Sequence, residues 1–181
     1  MSDLKNLSAI QLGAAIGAGT CSSTEAIEAC LTRIDRDNGK VNAFVTVVAD
    51  KALEGARAAD SEIASTGQRG PLHGVPIAHK DLYYTKGVRT TAGSKVRADF
   101  VPDYDSTVVA RLHAAGMVML GKLNTHEFAY GPTNDTSLFG ACHNPWDLER
   151  VSGGSSGGSG AAVGICMIPA ATGSDTGGSI R

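Results

Sequence analysis

The sequence has no excess of either charge and no long apolar run. Its 181 residues carry 16 Lys and Arg against 18 Asp and Glu, a formal net charge of -2. A dedicated nucleic-acid binder would carry a basic excess, so this balance argues against that class. The longest uncharged apolar stretch, 161–171, has 11 residues and includes a proline, whereas a membrane-spanning helix needs about 20. We therefore expect neither direct nucleic-acid binding nor a membrane span.

Cysteine pairs with the spacing of a metal or redox motif are also missing. The four cysteines stand at positions 21, 30, 142 and 166, and none forms a C-x-x-C pair. This spacing argues against a zinc knuckle or a thioredoxin-type site. The first residues lack the basic segment and the clean apolar run of a signal peptide. The pattern predicts reduced, mostly buried thiols in a cytoplasmic protein that needs no metal and no cofactor.

Glycine, by contrast, is abundant and clustered. It supplies 23 of the 181 residues, nine of them within 151–181, which is about 13% overall against a usual value near 7%. A flexible Gly/Ser linker is one interpretation. An apolar segment separates the two clusters, however, and such a segment is not expected in a flexible linker. Glycine is favoured where the backbone approaches another group closely or adopts positive φ. These clusters therefore predict a site built from main-chain groups.

Helix and strand patterns alternate along the chain. Capping boxes at Ser8-x-x-Gln11 and Ser22-x-x-Glu25 predict the starts of two helices, and the second is followed by an apolar face with helical spacing. Further helices are predicted at 53–63, after a cap at Asp105 or Ser106, and at 158–165, and strands at 43–48, 75–78, 117–120 and 167–171. Residues 131–150 are rich in turn formers. This alternation indicates an α/β fold with a mixed central sheet covered by helices.

Two hydrolase motifs are present but incomplete. The run GGSSG at 153–157 fits the G-x-S-x-G nucleophile elbow, but the last histidine, His143, precedes it, and that fold requires a histidine after the serine. His126 and Glu127 begin like the zinc motif H-E-x-x-H, but Tyr130 stands where the second histidine belongs. A serine-rich site without a usable histidine remains.

Lysine is the known alternative to histidine as the base for a serine nucleophile. Lys80 is the candidate, because it directly follows the apolar segment 75–78, which we expect to run through the interior. Burial at the end of such a strand would lower its pKa from a reference value of about 10.4. A lysine paired with Asp81, or one at the solvent edge, is the alternative that these residues leave open.

Five stretches of the sequence together resemble the amidase signature family. They are GVPIAHKD (74–81), GKLNTHEFAYG (121–131), NPWD (144–147), GGSSGGSGAAV (153–163) and GSDTGGSIR (173–181). Their order and their intervals are similar to those of the family, and the resemblance runs from the first residue to the last. It implies the amidase signature fold, with residues 1–181 as the N-terminal portion of a single domain that is incomplete at its C-terminus.

The resemblance also implies the roles of individual residues. In a Ser-cisSer-Lys triad, Ser179 would be the nucleophile, Ser155 the bridging serine after a cis peptide bond, and Lys80 the base. The backbone N–H groups of Thr176, Gly177 and Gly178 would stabilise the oxyanion. The side chains of Ser156 and Asp175 would support the site through further hydrogen bonds. For these two side chains, a turn-stabilising cap is the alternative.

By resemblance, the reaction is hydrolysis of a carboxamide C–N bond through an acyl-enzyme, with a small carboxamide and water as reactants. Segment 123–130 resembles general amidases, whereas the glutaminase subunit of tRNA-dependent amidotransferases would have Met-Asp-Glu-Phe-Ala-Met there. Residues 144–150 and 173–175 instead resemble that subunit, so a glutaminase that works with partner subunits is the second hypothesis. A third is a non-catalytic fragment or interaction module, and we expect the 181-residue chain alone to be inactive.

Overall fold

Helices and strands alternate in the computed structural model, which describes residues 4–181. The helices are α1 (Ala9–Gly17), α2 (Ser23–Val41), α3 (Ala49–Thr66), α4 (Thr107–Ala114) and α5 (Gly157–Gly164). The strands are β1 (Phe44–Val47), β2 (Pro76–Lys80), β3 (Val118–Leu123), β4 (His143–Asn144) and β5 (Asp147–Val151), and three short 3₁₀ turns lie at Leu4–Asn6, Lys95–Arg97 and Glu127–Ala129. The predicted mixed α/β class is confirmed.

A three-stranded mixed sheet with the order β1-β3-β2 lies at the centre. Strand β3 pairs antiparallel with β1 and parallel with β2, and this second pairing ends with Lys80 opposite Leu123. On the far side of β2, a parallel bridge joins Ala78 to Ala171. Strands β4 and β5 form a separate antiparallel hairpin, and every residue of β5 is exposed. The central sheet thus places Lys80 at the end of a buried strand.

The two predicted capping boxes are present at the starts of α1 and α2. In the second, Glu25 N–H donates to Ser22 Oγ at 3.0 Å, and Ser22 N–H donates to Glu25 Oε2 at 2.8 Å. Of the two predicted caps of α4, Ser106 is confirmed as the N-cap residue, although its side chain makes no hydrogen bond there. Asp105 Oδ1 instead accepts the N–H of Lys86 at 2.7 Å. Asp105 therefore fixes a loop 19 residues upstream rather than the helix.

Two other predictions of secondary structure differ from the fold. Residues 167–169 form a bend instead of the predicted strand, which was expected to be interrupted at Pro169, since proline has no N–H to donate. Only the bridge at Ala171 remains of that strand. Conversely, the turn-rich segment 131–150 contains the start of the β4–β5 hairpin. Its second strand is exposed along its whole length, so the sequence lacks the alternating apolar pattern that marks a half-buried strand.

The core consists of two apolar clusters that meet the central sheet. In the larger one, the predicted face of α2, with Ile27 and Ile34, packs with Leu120 and Leu123 of β3. The smaller cluster joins residues of α1 to β2 and its flanks. All four cysteines are free, three of them are buried, and within residues 4–181 no helix combines the length and apolarity that crossing a membrane requires.

Replacing Ile27 by alanine tests the larger cluster. Ile27 is fully buried, so we expect Ile27→Ala to lower the free energy of unfolding by about 2–5 kcal/mol, through lost apolar burial and the cavity left behind. Ile10→Ala is the matched control, because Ile10 is 59% exposed and should cost less than about 0.5 kcal/mol. Urea unfolding measures both, and equal losses would contradict the assigned core.

Candidate active site

Lys80 is the last residue of β2, a strand whose five residues are all buried. Its side chain is fully buried, and its Nζ lies 2.6 Å from Ser155 Oγ, 2.8 Å from Ser156 Oγ and 2.9 Å from Ser174 Oγ. Its backbone N–H donates to Thr172 Oγ1 at 3.0 Å. Segments more than 70 residues apart in sequence therefore meet around one amine.

The surroundings of Lys80 favour the neutral amine more than water does. Burial lowers the pKa of Lys80 to about 8, and the charge of Asp175 opposes this shift. Among residues 4–181, no carboxylate forms an ion pair with it. The alternative of a lysine that is paired with Asp81 or exposed to solvent is thus not realised. Near neutral pH, a fraction of Lys80 is unprotonated and can accept a proton.

Asp81 pairs instead with a second buried lysine, Lys122 of β3. Lys122 Nζ lies 3.5 Å from Asp81 Oδ1 and donates to Tyr83 O at 2.8 Å and Thr90 Oγ1 at 2.7 Å. Asp81 Oδ2 also accepts the hydroxyl of Thr91 at 2.6 Å. Burial lowers the pKa of Lys122 to about 8 despite the attraction of Asp81. This pair fixes the segment that follows Lys80.

Ser155 lies in the first glycine cluster, and the Gly154–Ser155 peptide bond is cis, as the resemblance implies. Its carbonyl accepts Thr125 Oγ1 at 3.0 Å and the N–H of His126 at 3.2 Å. A Cβ at Gly154 would lie 2.8 Å from the backbone nitrogen of Asn134. Only glycine fits this close approach, which explains the residue before Ser155.

Ser179 lies in the second glycine cluster, next to the first. Its carbonyl accepts the N–H of Ser156 at 3.2 Å, so the backbones of the two clusters are joined. Both border an open cleft of about 660 Å³, which Tyr130 and Pro132 also line. Within residues 4–181, however, the Ser179 hydroxyl makes no hydrogen bond to Ser155 or Lys80. The fold brings Lys80, Ser155 and Ser156 into contact and places Ser179 beside them.

Asp175 organises the segment that carries Ser179. Its carboxylate accepts the N–H groups of Gly178 at 2.8 Å and of Ile180 and Arg181 at 3.2 Å each. The Arg181 guanidinium adds two bonds of 3.0 Å and, with these N–H groups, holds the pKa of Asp175 far below its usual range. The N–H of Gly178 is therefore engaged, whereas those of Thr176 and Gly177 have no acceptor in the described part of the chain. Their role as oxyanion donors stays a prediction.

Several polar contributors were missed from the sequence. Ser174 was not singled out, although it directly precedes Asp175 in a stretch that already marked the site. The ion pair of Asp81 and Lys122 has no local signal, because its residues lie 41 positions apart in sequence. Across residues 4–181, no cluster of three or more His, Cys, Asp or Glu side chains is arranged to hold a metal ion.

Comparisons with known proteins identify the family of this chain. The family model described as Amidase matches residues 25–181. A glutamyl-tRNA(Gln) amidotransferase subunit from Thermobifida fusca is 53% identical over 100% of this chain and 36% of its own length. The chain thus spans about a third of the length of such curated relatives.

Solved structures of similar proteins share the fold. The structure of 6-aminohexanoate cyclic dimer hydrolase superposes with a TM-score of 0.89 at 35% identity, covering 100% of this chain and 36% of that one. The corresponding glutamyl-tRNA(Gln) amidotransferase subunit from Thermotoga maritima gives a TM-score of 0.80 at 38% identity, with the same coverage. The family match, the shared fold and the lysine–serine cluster lead to one conclusion: this chain belongs to the amidase family.

Proposed function

We propose that a protein containing this chain hydrolyses carboxamide C–N bonds with Lys80 as base, Ser155 as proton relay and Ser179 as nucleophile. The observation that carries the proposal is the buried Lys80 Nζ at 2.6 Å from Ser155 Oγ. This distance suits proton transfer. A serine hydroxyl is a weak nucleophile without an adjacent base, and no histidine of this chain hydrogen-bonds to the side chain of Ser155 or Ser179 within the described residues.

In the proposed first step, neutral Lys80 accepts the Ser155 hydroxyl proton while Ser155 accepts the proton of Ser179. Ser179 Oγ then attacks the amide carbon and forms a tetrahedral intermediate with a negatively charged oxygen. Backbone N–H groups aimed at that oxygen lower the barrier, and those of Thr176 and Gly177 have no other acceptor within residues 4–181. The Ser179 hydroxyl must turn toward Ser155 for this step.

The collapse of that intermediate returns the proton to the leaving group. The C–N bond breaks, ammonia or an amine leaves with the proton from Lys80 and Ser155, and an ester joins the acyl group to Ser179. Water then attacks the ester with the same relay as base, and the carboxylate product leaves. Ser156 supports the base through its contact at 2.8 Å, and Asp175 holds the loop of the nucleophile.

The substrate class has two candidates. Segment 123–130, with His126 and Tyr130, resembles general amidases and favours small carboxamides. A glutaminase function is favoured by the curated relatives at 51–57% identity, whose names describe them as subunits of glutamyl-tRNA(Gln) amidotransferases. In that second function, the ammonia from glutamine would pass to partner subunits instead of to solvent.

Substitutions at the base and the nucleophile test the proposed roles. In a protein containing this chain together with the remaining length of its relatives, Ser179→Ala and Lys80→Met should each lower kcat by at least about a thousandfold. Lys95→Met is the matched control, because Lys95 is exposed and lies outside the site, and it should leave kcat unchanged. Amidase kinetics with thermal melting measures both effects. Substantial turnover by a folded Lys80→Met variant would contradict the assignment.

The pH dependence tests the protonation state of the base. Protonated Lys80 cannot accept a proton, and its pKa is lowered to about 8. We therefore expect kcat/KM to rise about tenfold per pH unit below that value and to level off above it. The measurement is the pH profile of kcat/KM between about pH 5.5 and about pH 10. A rise near the pKa of an ordinary histidine that disappears in His79→Gln or His126→Gln would identify another base.

Substrate competition separates the two candidate substrate classes. A general amidase should hydrolyse simple carboxamides such as propionamide or benzamide without partner subunits and show little preference for glutamine. The kcat/KM values for glutamine and for both amides decide between them, with the Ser179→Ala variant as the blank. A preference for glutamine by about a hundredfold or more, equivalent to roughly 3 kcal/mol, would establish the glutaminase instead.

A further inference from the structure

A groove of about 370 Å³ lies between α3 and α4, over β2 and β3. Its floor is apolar, with Ile77 of β2 and Val118 of β3 beneath Gly55 of α3, while Lys51 and Lys86 stand among its polar residues. It shares no lining residue with the cleft at Ser179. Consecutive side chains of a strand point to opposite faces, so His79 faces this groove while Lys80 faces the serines.

Two buried histidines bring unpartnered ring nitrogens to this groove. His73 and His79 are only 1% and 2% exposed, yet His73 Nε2 and His79 Nδ1 have no hydrogen-bond partner among residues 4–181. The nearest carboxylate oxygen to His73 Nε2 is Glu62 Oε2, at 3.8 Å, which is beyond hydrogen-bond distance. His73 Nδ1 accepts the N–H of Arg69 at 3.3 Å, so the proton of the neutral ring sits on Nε2. Burial lowers the pKa of His79 to about 4, which makes its ring neutral as well. Buried polar atoms without partners are rare in native proteins.

The charges of the groove favour an anion. Among the described residues, neither the Lys51 nor the Lys86 ammonium forms an ion pair, and Lys51 Nζ makes one long hydrogen bond, 3.4 Å, to Gly87 O. The two carboxylates that line the groove are engaged. Glu62 is paired with Arg69, and Asp105 accepts the backbone N–H of Lys86. Because Arg69 lines the groove as well, three cationic side chains border it against two carboxylates, which leaves an excess of one positive charge.

We propose that this groove binds a small organic anion with an apolar body, such as an aryl or alkyl carboxylate. The carboxylate would accept hydrogen bonds from the lysine ammoniums and a histidine N–H, while the body covers the apolar floor. Charge-assisted bonds to a carboxylate are stronger than neutral ones, and small ligand sites commonly combine apolar walls with a few converging polar groups. The site lies back to back with the serine cluster, across one strand.

Phenylacetate is the probe, with 2-phenylethanol as the neutral compound of the same body. We expect phenylacetate to shift the imidazole ¹⁵N–¹H resonances of His73 and His79 in a saturable way, with a dissociation constant of about a millimolar. Lys51→Met and Lys86→Met should each weaken this binding by about tenfold. Lys40→Met is the matched control, because Lys40 is exposed on α2, away from the groove, and it should bind as the parent does.

A groove-filling variant makes the test independent of the lysines. Ala58 is exposed on α3 and lines the groove, so Ala58→Phe should abolish binding while the melting temperature stays near that of the parent. The proposal fails if phenylacetate gives no saturable shift. It also fails if 2-phenylethanol binds equally well, or if the lysine variants and Ala58→Phe bind as the parent does.

Discussion

The site depends on the complete burial of an amine without a carboxylate partner. Transferring a charged group out of water is costly unless it is paired or loses its charge. Around Lys80, hydroxyl groups take the place of a counter-ion, and they come from Ser155, Ser156 and Ser174. Hydroxyls can both donate and accept, so they satisfy the protonated and the neutral amine alike. A carboxylate at the same position would stabilise only the protonated form.

Lys80 remains without a carboxylate partner because the adjacent carboxylate, Asp81, pairs with another lysine. Lys80 and Asp81 are adjacent in sequence, but Asp81 lies 3.5 Å from Lys122 and accepts hydrogen bonds from Thr91. Strand β2 ends at Lys80, and the carboxylate of the next residue, Asp81, lies beside Lys122 rather than beside the Lys80 amine. The carboxylate of Asp81 is therefore held at Lys122, and Lys80 keeps its lowered pKa without a paired carboxylate.

Features set by local residues could be predicted from the sequence, and features set by distant contacts could not. The capping box of Ser22 and Glu25 lies within one turn of helix, and the apolar run before Lys80 was sufficient to expect its burial. The recruitment of Ser174 to Lys80 depends on a contact across 94 positions, and residues 167–169 form a bend where a strand was expected. The residues of the proposed catalytic cluster could be predicted only through a family resemblance, because periodicity alone left Lys80 with alternative partners.

The ring of hydrogen bonds at Asp175 has a consequence for how the site responds to acid. The pKa of Asp175 lies far below its usual range, whereas that of Lys80 is about 8, so the two groups titrate in widely separated ranges. Across the whole interval in which the amine gains or loses its proton, the carboxylate stays charged, and its bonds to Gly178 and Arg181 stay intact. The shape of the segment 175–181 is thus independent of the protonation state of Lys80, and acidification protonates Lys80 well before it protonates Asp175.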